Sequence, residues 1–288
     1  MSKPVKKAII PVAGFGTRML PATKSIPKEL MPLVDRPLLQ YIVDEVKEAG
    51  IEQCIFITNR GKGAIEDYFD MNYELNRTME DRGKTKYLEM MKDQTPTEGD
   101  MVFIRQKDPR GVGHAIWCAR HLIHDEPFAV LFPDDIILNG VGCMKQMVDD
   151  YQSDQMMLAV EEVPLPDTEK YGILDVSEKC GNLVHAKGII EKPKAADAPS
   201  RMAVVGRYIL PADIIPILKT QETGAGGEVH VTDALNKLLS THRLVGYQFD
   251  GRRFDCGGHA GYLEATVAAA LDRNDLKDTM RDILAKYQ

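Results

Sequence analysis

Near the start of the chain, two glycines and two basic residues share one short segment. Gly14 and Gly16 follow the apolar run 8–12, and Arg18 and Lys28 come after the glycines. Glycine lets backbone N–H groups approach a ligand closely, and the basic side chains add fixed positive charge to the same loop. This combination favours a phosphate-rich ligand. The alternative is an ordinary strand-to-helix connection in which nearby prolines only stiffen the loop.

The spacing of the glycines excludes two common phosphate loops. A GxGxxG fingerprint that begins at Gly14 needs glycine at position 19, where the chain has Met19. The GKT at 83–85 needs glycine at position 78 to complete a Walker A loop, and that residue is Thr78. Met19 also disfavours a nicotinamide-dependent dehydrogenase, an alternative that NADH binding would test. Taken alone, the glycine turn is typical of an ordinary connection.

Carboxylates follow two further segments that can deliver them to a site. Asp134 and Asp135 come directly after the apolar run 128–132, and Asp255 precedes a cysteine and two glycines. Open parallel sheets bind ligands at the carboxyl ends of their strands, and Mg²⁺ prefers one or two carboxylates plus substrate phosphates. A helix N-cap explains the aspartate pair about equally well, and an Asx turn explains Asp255.

Two more turns carry polar groups that can bind substrate. Gln106, in QKDPRGVGHA, can donate and accept hydrogen bonds, and Gly111 allows main-chain contact with a flat base. Such a pair can contact the imide edge of uracil or thymine, although a plain strand-to-helix turn also uses these glycines. Glu191 and Lys192, in the EKP triplet, end a strand-like run, where a charged hairpin turn is the usual interpretation.

The elements that must position these residues alternate along the first half of the chain. Apolar patterns predict strands at 8–12, 54–58, 101–105 and 128–132, and helices at 35–50, 65–69 and 114–117. The second half is richer in strands, with runs at 156–163, 183–190 and 203–210 and helices at 211–219, 231–240, 259–271 and 275–286. The alternation predicts an α/β fold with a parallel sheet between helices, and the charged stretch 71–93 predicts a helical excursion on the surface.

The motif GxGTRxxPxTxxxPKxxxP resembles the signature of the nucleotidyltransferases that make nucleotide sugars. Its fixed positions here are Gly14, Gly16, Thr17, Arg18, Pro21, Thr23, Pro27, Lys28 and Pro32. The resemblance extends from about Lys6 to the C-terminal helices. It implies a Rossmann-like α/β fold with a mixed, mainly parallel central sheet flanked by helices and a C-terminal helical pair. The implied reaction is Mg²⁺-dependent: UTP and glucose 1-phosphate form UDP-glucose and pyrophosphate.

The resemblance also implies roles for individual residues. Arg18 and Lys28 are expected on the triphosphate, and Lys192 on the sugar phosphate. Asp134 and Asp255 are expected to hold one Mg²⁺. The implied nucleotide-binding residues are Ala13, Gly14, Gly16, Thr17, Glu29, Gln106 and Gly111. The implied sugar-binding residues are Gly172, Glu191, Val205 and Gly206.

Within this family two alternatives to that reaction stay open. The same chemistry can use dTTP or another hexose 1-phosphate, because uracil and thymine differ by a methyl group that Gln106 cannot sense. A catalytically silent regulatory relative is the other alternative, and the intact charged motif residues argue against it.

The chain also departs from the family pattern at two positions: His259 replaces the lysine of DCGxKxG, and His230 replaces the glutamine of GEIQLTDA.

Composition limits the partners that this chain can have. Its 288 residues include 36 basic and 43 acidic side chains, a net charge of −7 without any basic block, which argues against nucleic acid. There is no apolar run of roughly 18 residues, and MSKPVKK lacks the apolar core of a signal peptide, so we expect cytoplasmic location and no membrane. Five cysteines without CxxC spacing predict reduced structural thiols.

The expected organisation is one α/β domain over 1–258, followed by C-terminal helices at 259–288. The nucleotide-binding half is expected at about 1–135 and the sugar-binding half at about 136–258. The first C-terminal helix is more apolar than one buried face requires, which predicts contact with a second subunit, with Ala269 as an outward position. Close packing on its own domain explains the pattern about as well. The resemblance favours a homo-oligomer, a dimer or tetramer.

Overall fold

The fold is described by a computed structural model over residues 3–138, 140–220 and 227–287. Its strands are β1 (Lys7–Pro11), β2 (Pro32–Leu33), β3 (Arg36–Pro37), β4 (Gln53–Thr58), β5 (Met101–Arg105), β6 (Phe128–Leu131), β7 (Asp135–Leu138), β8 (Gln155–Glu162), β9 (Gly172–Cys180), β10 (Leu183–Glu191), β11 (Met202–Leu210), β12 (Arg243–Gln248) and β13 (Arg252–Asp255). Its helices are α1 (Leu38–Glu48), α2 (Gly63–Phe69), α3 (Tyr73–Asp81), α4 (Thr85–Gln94), α5 (Gly111–Cys118), α6 (Cys143–Asp150), α7 (Ile214–Thr220), α8 (Val231–Leu238), α9 (His259–Asp272) and α10 (Lys277–Ala285).

Nine of these strands form one continuous sheet in the order β5-β4-β1-β6-β11-β8-β12-β10-β9. The strands β5, β4, β1 and β6 are parallel to one another, and β8 is parallel to β12. Among the strands that the structure describes in this sheet, only β11 and β10 have the opposite direction, since both pair antiparallel with their neighbours. The structure therefore has the mixed, mainly parallel sheet that the resemblance implied.

The strand β1 lies inside the sheet because its residues are apolar on both faces. Ala8 and Ile10 pack into the core layer that also contains α1, α6 and α9. Ile9 points the other way, into the layer that contains α5, α7 and α8. A strand that is buried on both faces is typical of a parallel sheet covered by helices. This burial fixes β1, and with it the loop that follows.

As with β2 and β3, two further short strands that were not predicted form a small sheet outside the large one. β7 pairs antiparallel with β13, which places Asp135 opposite Asp255. Each strand has four residues, and the two are far apart along the chain, so local periodicity gave no signal for them. The strands β9 and β12 were not predicted either, whereas β5 has the predicted bounds. The surface stretch 71–93 is helical, as predicted, and forms α3 and α4.

The C-terminal helical pair is present, but the prediction for one of its residues was wrong. Ala269 is buried, and together with Ala265 it packs into the core layer of α1. The outward apolar residue on α9 is Leu263, whose side chain is largely exposed. A domain boundary at 258 stays a prediction. In the ranges that the structure describes, no helix combines the length and apolar character needed to cross a membrane.

Candidate active site

The loop after β1 turns sharply at a glycine and then folds back on itself. Gly16 has a φ of +66°, a left-handed conformation that suits glycine. The Thr23 hydroxyl donates a hydrogen bond to the Gly16 carbonyl at 2.8 Å. A Cβ at Gly16 would lie 3.1 Å from the Lys28 Cβ. The turn therefore needs glycine, and it brings the segment around Lys28 close to the end of β1.

Four charged side chains that the resemblance singled out meet beside this loop. Lys28 Nζ lies 2.6 Å from Asp134 Oδ2. Arg18 reaches both carboxylates, with Nη2 at 3.7 Å from Asp134 Oδ2 and Nη1 at 3.4 Å from Asp255 Oδ2. The structure thus brings together the two expected metal ligands and the two cations expected on the triphosphate, from positions up to 237 residues apart.

The segment after β13 holds Asp255 against Asp134 through backbone contacts. The Cys256 N–H donates to the Asp134 carbonyl at 2.7 Å, and the Gly257 N–H donates to Asp255 Oδ1 at 3.0 Å. A Cβ at Gly257 would lie 2.2 Å from Arg18 Nη2 and 2.7 Å from Asp134 Oδ2. Only glycine fits here without displacing the charged cluster, which explains why a glycine must follow the DC dipeptide.

The protonation state of Asp134 suits a metal ligand. Burial by itself would raise the pKa of this carboxyl. The charge and the hydrogen bond of the Lys28 ammonium, with a smaller contribution from the Arg18 charge, instead hold the pKa below its usual value. Asp134 is therefore a carboxylate at neutral pH. No group of three or more His, Cys, Asp or Glu side chains that could hold a metal occurs among the described residues. Two carboxylates fit Mg²⁺, whose remaining ligands would be phosphate oxygens and water.

The carboxylate of Asp135 is bound by neighbouring protein groups. Its Oδ2 accepts a hydrogen bond from the Gly206 N–H at 3.0 Å, and its Oδ1 lies 2.6 Å from Arg253 Nη2. Burial raises the pKa of Asp135 to about 6, with the Arg253 charge opposing that rise. Both carboxylate oxygens are engaged by the protein. Asp135 thus fastens β11 and β13 to the strand end that carries Asp134.

A buried ion pair behind this cluster escaped the sequence analysis. Arg207, on β11, is fully buried and its guanidinium binds Glu45 of α1 through two bonds, at 2.9 and 2.7 Å. It also donates to the carbonyls of Asp135 at 2.8 Å and Phe132 at 3.2 Å, which flank Asp134. The available signal was an arginine inside the apolar run MAVVGRYIL. A buried arginine needs a carboxylate partner, and the sequence does not show which one.

A cavity of about 360 Å³ opens beside the cluster, on the side of β9, β10 and β11. Its walls include the expected sugar-binding residues Gly172, Glu191, Val205 and Gly206, and also Lys192, Arg18, Asp134 and Asp255. Lys192 has a φ of +45°, which is rare for a residue with a side chain, and its Nζ lies 3.6 Å from the Glu191 carboxylate. Strained backbone of this kind occurs at binding sites.

A second cavity, of about 370 Å³, lies at the carboxyl ends of β1, β4 and β5. Its walls are Ala13, Phe15, Asn59, Arg60, Arg105, Gln106, Lys107 and Pro109. Ala13 and Phe15 precede Arg18 in the same loop, so one loop borders both cavities. A ligand with a flat base at one end and a sugar at the other would place its phosphates over this loop.

Comparison with known proteins identifies the family of this chain. Residues 7–271 match the nucleotidyl transferase family. The chain belongs to the nucleotidyl transferase family. Relatives named UTP–glucose-1-phosphate uridylyltransferase include one from Komagataeibacter xylinus, 48% identical over 99% of this chain and 98% of its own, and one from Bacillus subtilis (strain 168), 45% identical over 96% and 95%. The solved structure of a UTP-bound UGPase from Acinetobacter baumannii has a TM-score of 0.91 and 38% identity, covering 99% of this chain and 100% of that one.

Membership of the nucleotidyl transferase family confirms the resemblance seen in the motif and the expectation of an enzyme. It leaves the role of each residue to be tested. Among the expected nucleotide-binding residues, Ala13 and Gln106 line the second cavity. Gly14, Gly16 and Thr17 lie in the turn that separates this cavity from Arg18. Their roles stay predictions, and the geometry is compatible with them.

In this nucleotidyl transferase, two other expected nucleotide contacts have close protein partners. Glu29 is buried and its Oε2 lies 2.6 Å from Lys62 Nζ, while its Oε1 has no hydrogen-bond partner among the residues that the structure describes. Burial raises the pKa of Glu29, and the Lys62 charge opposes that rise. Gly111 has a φ of +87°, and a Cβ there would lie 2.9 Å from the Glu228 Cβ. Neither residue lines the two cavities, so any contact with the nucleoside stays a prediction.

The departures from the nucleotidyl transferase pattern also have defined positions. His259 is exposed at the first position of α9, whereas His230 lines the sugar-side cavity just before α8.

Cys256 is buried, and burial raises the pKa of its thiol to about 12. At neutral pH this cysteine is a thiol rather than a nucleophilic thiolate. The prediction of a structural role for Cys256 agrees with that environment.

Proposed function

We propose that this chain transfers the uridylyl group of UTP to glucose 1-phosphate in a Mg²⁺-dependent reaction, forming UDP-glucose and pyrophosphate. The names of its full-length relatives support this substrate pair. The observation that carries the proposal is the convergence of Arg18, Lys28, Asp134 and Asp255 between the two cavities. One cavity suits a base and the other a sugar phosphate. The reacting phosphates would meet at the charged cluster.

The chemistry requires no covalent enzyme intermediate. A phosphate oxygen of glucose 1-phosphate attacks the α-phosphorus of UTP in line, and the bond from that phosphorus to the bridging oxygen breaks. Pyrophosphate leaves with the electron pair. Catalysis of this type rests on positioning the two substrates and on neutralising phosphate charge, rather than on a nucleophilic side chain.

The protein's own groups divide the positive charge between the two substrates. Arg18 is more than half exposed and lies between both carboxylates, at 3.7 Å from Asp134 and 3.4 Å from Asp255, from where it would turn to the triphosphate. Lys28 is mostly buried beside Asp134 and would contact the same ligand from below the glycine turn. Lys192 borders the sugar-side cavity and would hold the attacking phosphate. Fixed charges that are already in place cost little reorganisation during the reaction.

Asp134 and Asp255 would hold the magnesium ion. When bound, Mg²⁺ would neutralise charge that develops on the phosphate oxygens. On the sugar side, the Glu191 carboxylate would accept hydrogen bonds from hexose hydroxyls, while Gly172, Val205 and Gly206 would provide a close backbone surface. A Cβ at Gly206 would lie 2.6 Å from Asp135 Oδ2, so that this wall cannot carry a side chain.

The proposal is tested by measuring pyrophosphate release from a grid of nucleoside triphosphates and sugar 1-phosphates. UTP, CTP, dTTP and ATP are each combined with glucose, galactose and mannose 1-phosphates in the presence of Mg²⁺. We expect the highest kcat/KM for UTP with glucose 1-phosphate. A higher kcat/KM for a different pair would change the proposed substrates but leave the proposed type of reaction intact. No release with any pair would refute the reaction itself.

A further inference from the structure

The side-chain amide of Gln106 is held in one orientation by the protein. Its Nε2 lies 3.2 Å from the Gly111 carbonyl oxygen and 3.0 Å from His114 Nδ1. A carbonyl oxygen can only accept hydrogen bonds, so the amide nitrogen, and not the amide oxygen, must face Gly111. Both Nε2 hydrogens then have acceptors inside the protein. The remaining polar atom, Oε1, accepts no hydrogen bond from the described residues, and Gln106 lines the cavity at the ends of β1, β4 and β5.

The Gly111 carbonyl and His114 belong to the same short helix, α5. A Cβ at Gly111 would meet Glu228 and the backbone of Val229, so the start of the helix is pressed against that segment. The Gly113 N–H donates to the Val229 carbonyl at 2.9 Å, which fixes the same turn. The two acceptors that face Gln106 are therefore parts of a rigid element rather than of a loose loop.

His114 has the protonation state that an acceptor requires. Its ring is buried, stacks on Trp117 with centroids 5.9 Å apart, and has Nε2 4.0 Å from Cys118 Sγ. Burial and then the Arg110 charge lower the pKa of His114, and the Arg120 charge adds to the effect. Asp108 opposes it, through a hydrogen bond to its backbone as well as through its charge. A neutral imidazole carries one proton. With that proton on Nε2, facing the sulfur, Nδ1 keeps its lone pair for Gln106.

We propose that His114 is a positioning residue for base selection: its Nδ1 holds the Gln106 amide so that Oε1 faces the base, which selects uracil against cytosine. Uracil presents N3–H, a donor that Oε1 can accept. Cytosine presents an unprotonated N3, an acceptor, which would meet Oε1 without a hydrogen bond between them. A site whose polar group is left unpaired by the wrong substrate discriminates strongly against it. The inference rests on the proposed use of a pyrimidine triphosphate.

Two substitutions at His114 separate the hydrogen bond from the packing of the ring. His114→Phe keeps an aromatic ring against Trp117 and removes the acceptor. His114→Asn loses the ring but can place an amide oxygen near the position of Nδ1. We measure kcat/KM for UTP and for CTP with glucose 1-phosphate, and thermal unfolding of each variant.

We expect His114→Phe to lower the ratio of kcat/KM for UTP over CTP by about tenfold, the effect of losing one hydrogen bond of typical strength. The Gly111 carbonyl still opposes rotation of the amide, so that the preference should shrink rather than invert. His114→Asn should retain most of the preference even if it is the less stable of the two proteins. If His114→Phe does not fold, His114→Leu removes the same acceptor and is measured by the same ratio.

Several results would overturn the assignment. Equal losses with UTP and CTP in His114→Phe would show a packing role only. Indistinguishable ratios in the Phe and Asn variants would show that the acceptor does not matter. A wild-type protein that turns over UTP and CTP equally would also refute base selection by this pair. No pyrophosphate release with any triphosphate is a separate failure, because it refutes the proposed function before His114 is considered.

Discussion

Lys28 Nζ lies 2.6 Å from Asp134 Oδ2, so a cation expected on the triphosphate is paired with a carboxylate expected on the metal. Each side chain of this pair is about four-fifths buried, and each charge needs a partner at all times. Burial would lower the pKa of Lys28, but the Asp134 carboxylate raises it above the ordinary lysine value. We expect substrate binding to change the partners of this pair. Phosphate oxygens replace the Asp134 carboxylate as the partner of Lys28, and Asp134 becomes available to Mg²⁺.

The first prediction concerns Asp134→Asn. We expect turnover to fall by ~10²-fold or more, because a catalytic metal supplies several kcal/mol of charge stabilisation and its proposed ligand loses its charge. Thermal unfolding should also occur at a lower temperature, because Lys28 loses its counter-charge. Steady-state kinetics and a melting curve measure both effects. The matched control is Asp67→Asn, an exposed position on α2, which should change neither. Near-normal activity in a folded Asp134→Asn protein would remove this residue from the metal site.

The second prediction concerns Asp255 and the metal requirement. Chelation with EDTA should abolish turnover of the wild-type protein, and added Mg²⁺ should restore it. In Asp255→Asn, the Mg²⁺ concentration for half-maximal activity should rise by about tenfold or more, since one of two proposed carboxylate ligands is lost. Asp255 is only partly buried, so the fold should tolerate the change. An unchanged Mg²⁺ titration would mean that Asp255 serves only Arg18 and the Gly257 backbone.

The motif resemblance singled out the residues of the charged cluster, but the sequence did not show the contacts that hold them. Glycines and a basic pair made the loop after β1 a candidate for phosphate binding, and the spacing of the longer motif around them resembled a known family signature. By contrast, the pairing of β7 with β13 depends on backbone bonds between distant segments, and four-residue strands have too little periodicity to reveal them. The Glu45–Arg207 pair was invisible for a similar reason: each residue is plausible alone, and only the fold joins α1 to β11.

The third prediction separates Lys192 from a neighbouring lysine. Lys192→Ala should raise the KM for glucose 1-phosphate by about tenfold or more and change the KM for UTP much less, because the proposed contact is with the attacking phosphate. Lys194→Ala is the control, since Lys194 is exposed in the same turn but does not line the sugar-side cavity. Initial rates over both substrate concentrations decide the question. Equal effects of the two substitutions would contradict the assignment to Lys192.

The fourth prediction concerns the buried pair behind the site. Glu45→Gln should lower the free energy of unfolding by about 3–5 kcal/mol, because it leaves the fully buried Arg207 charge without its carboxylate. The exposed Glu48, one turn further along α1, provides the control: Glu48→Gln should cost less than about 0.5 kcal/mol. Urea unfolding followed by circular dichroism gives both values. Similar midpoints for the two variants would show that Arg207 finds other partners.

The observed burial of residues on α9 differs from the prediction of its outward face. An alanine-rich helix gives nearly the same apolar signal all round, so periodicity could not distinguish Ala269, which is buried, from the exposed Leu263. Contacts of α9 with β13 and with the β2–β3 hairpin, not its own composition, decide which face is covered. For the same reason, the sequence could suggest a subunit contact on this helix without locating it.

The last prediction is that the protein is a homo-oligomer and that Leu263 lies in its interface. Leu263 is 63% exposed on α9, and Ile283 and Leu284 on the adjoining α10 are exposed as well, so the pair presents apolar surface to solvent. Apolar surface of this kind is typical of subunit contacts. Leu263→Glu should yield a folded monomer, whereas Met90→Glu, at an exposed position on α4, should leave the oligomer intact. Light scattering measures the mass of each protein, and circular dichroism measures its fold. A wild-type protein that is monomeric at micromolar concentration, or a Leu263→Glu variant that keeps the wild-type mass, would contradict the assignment.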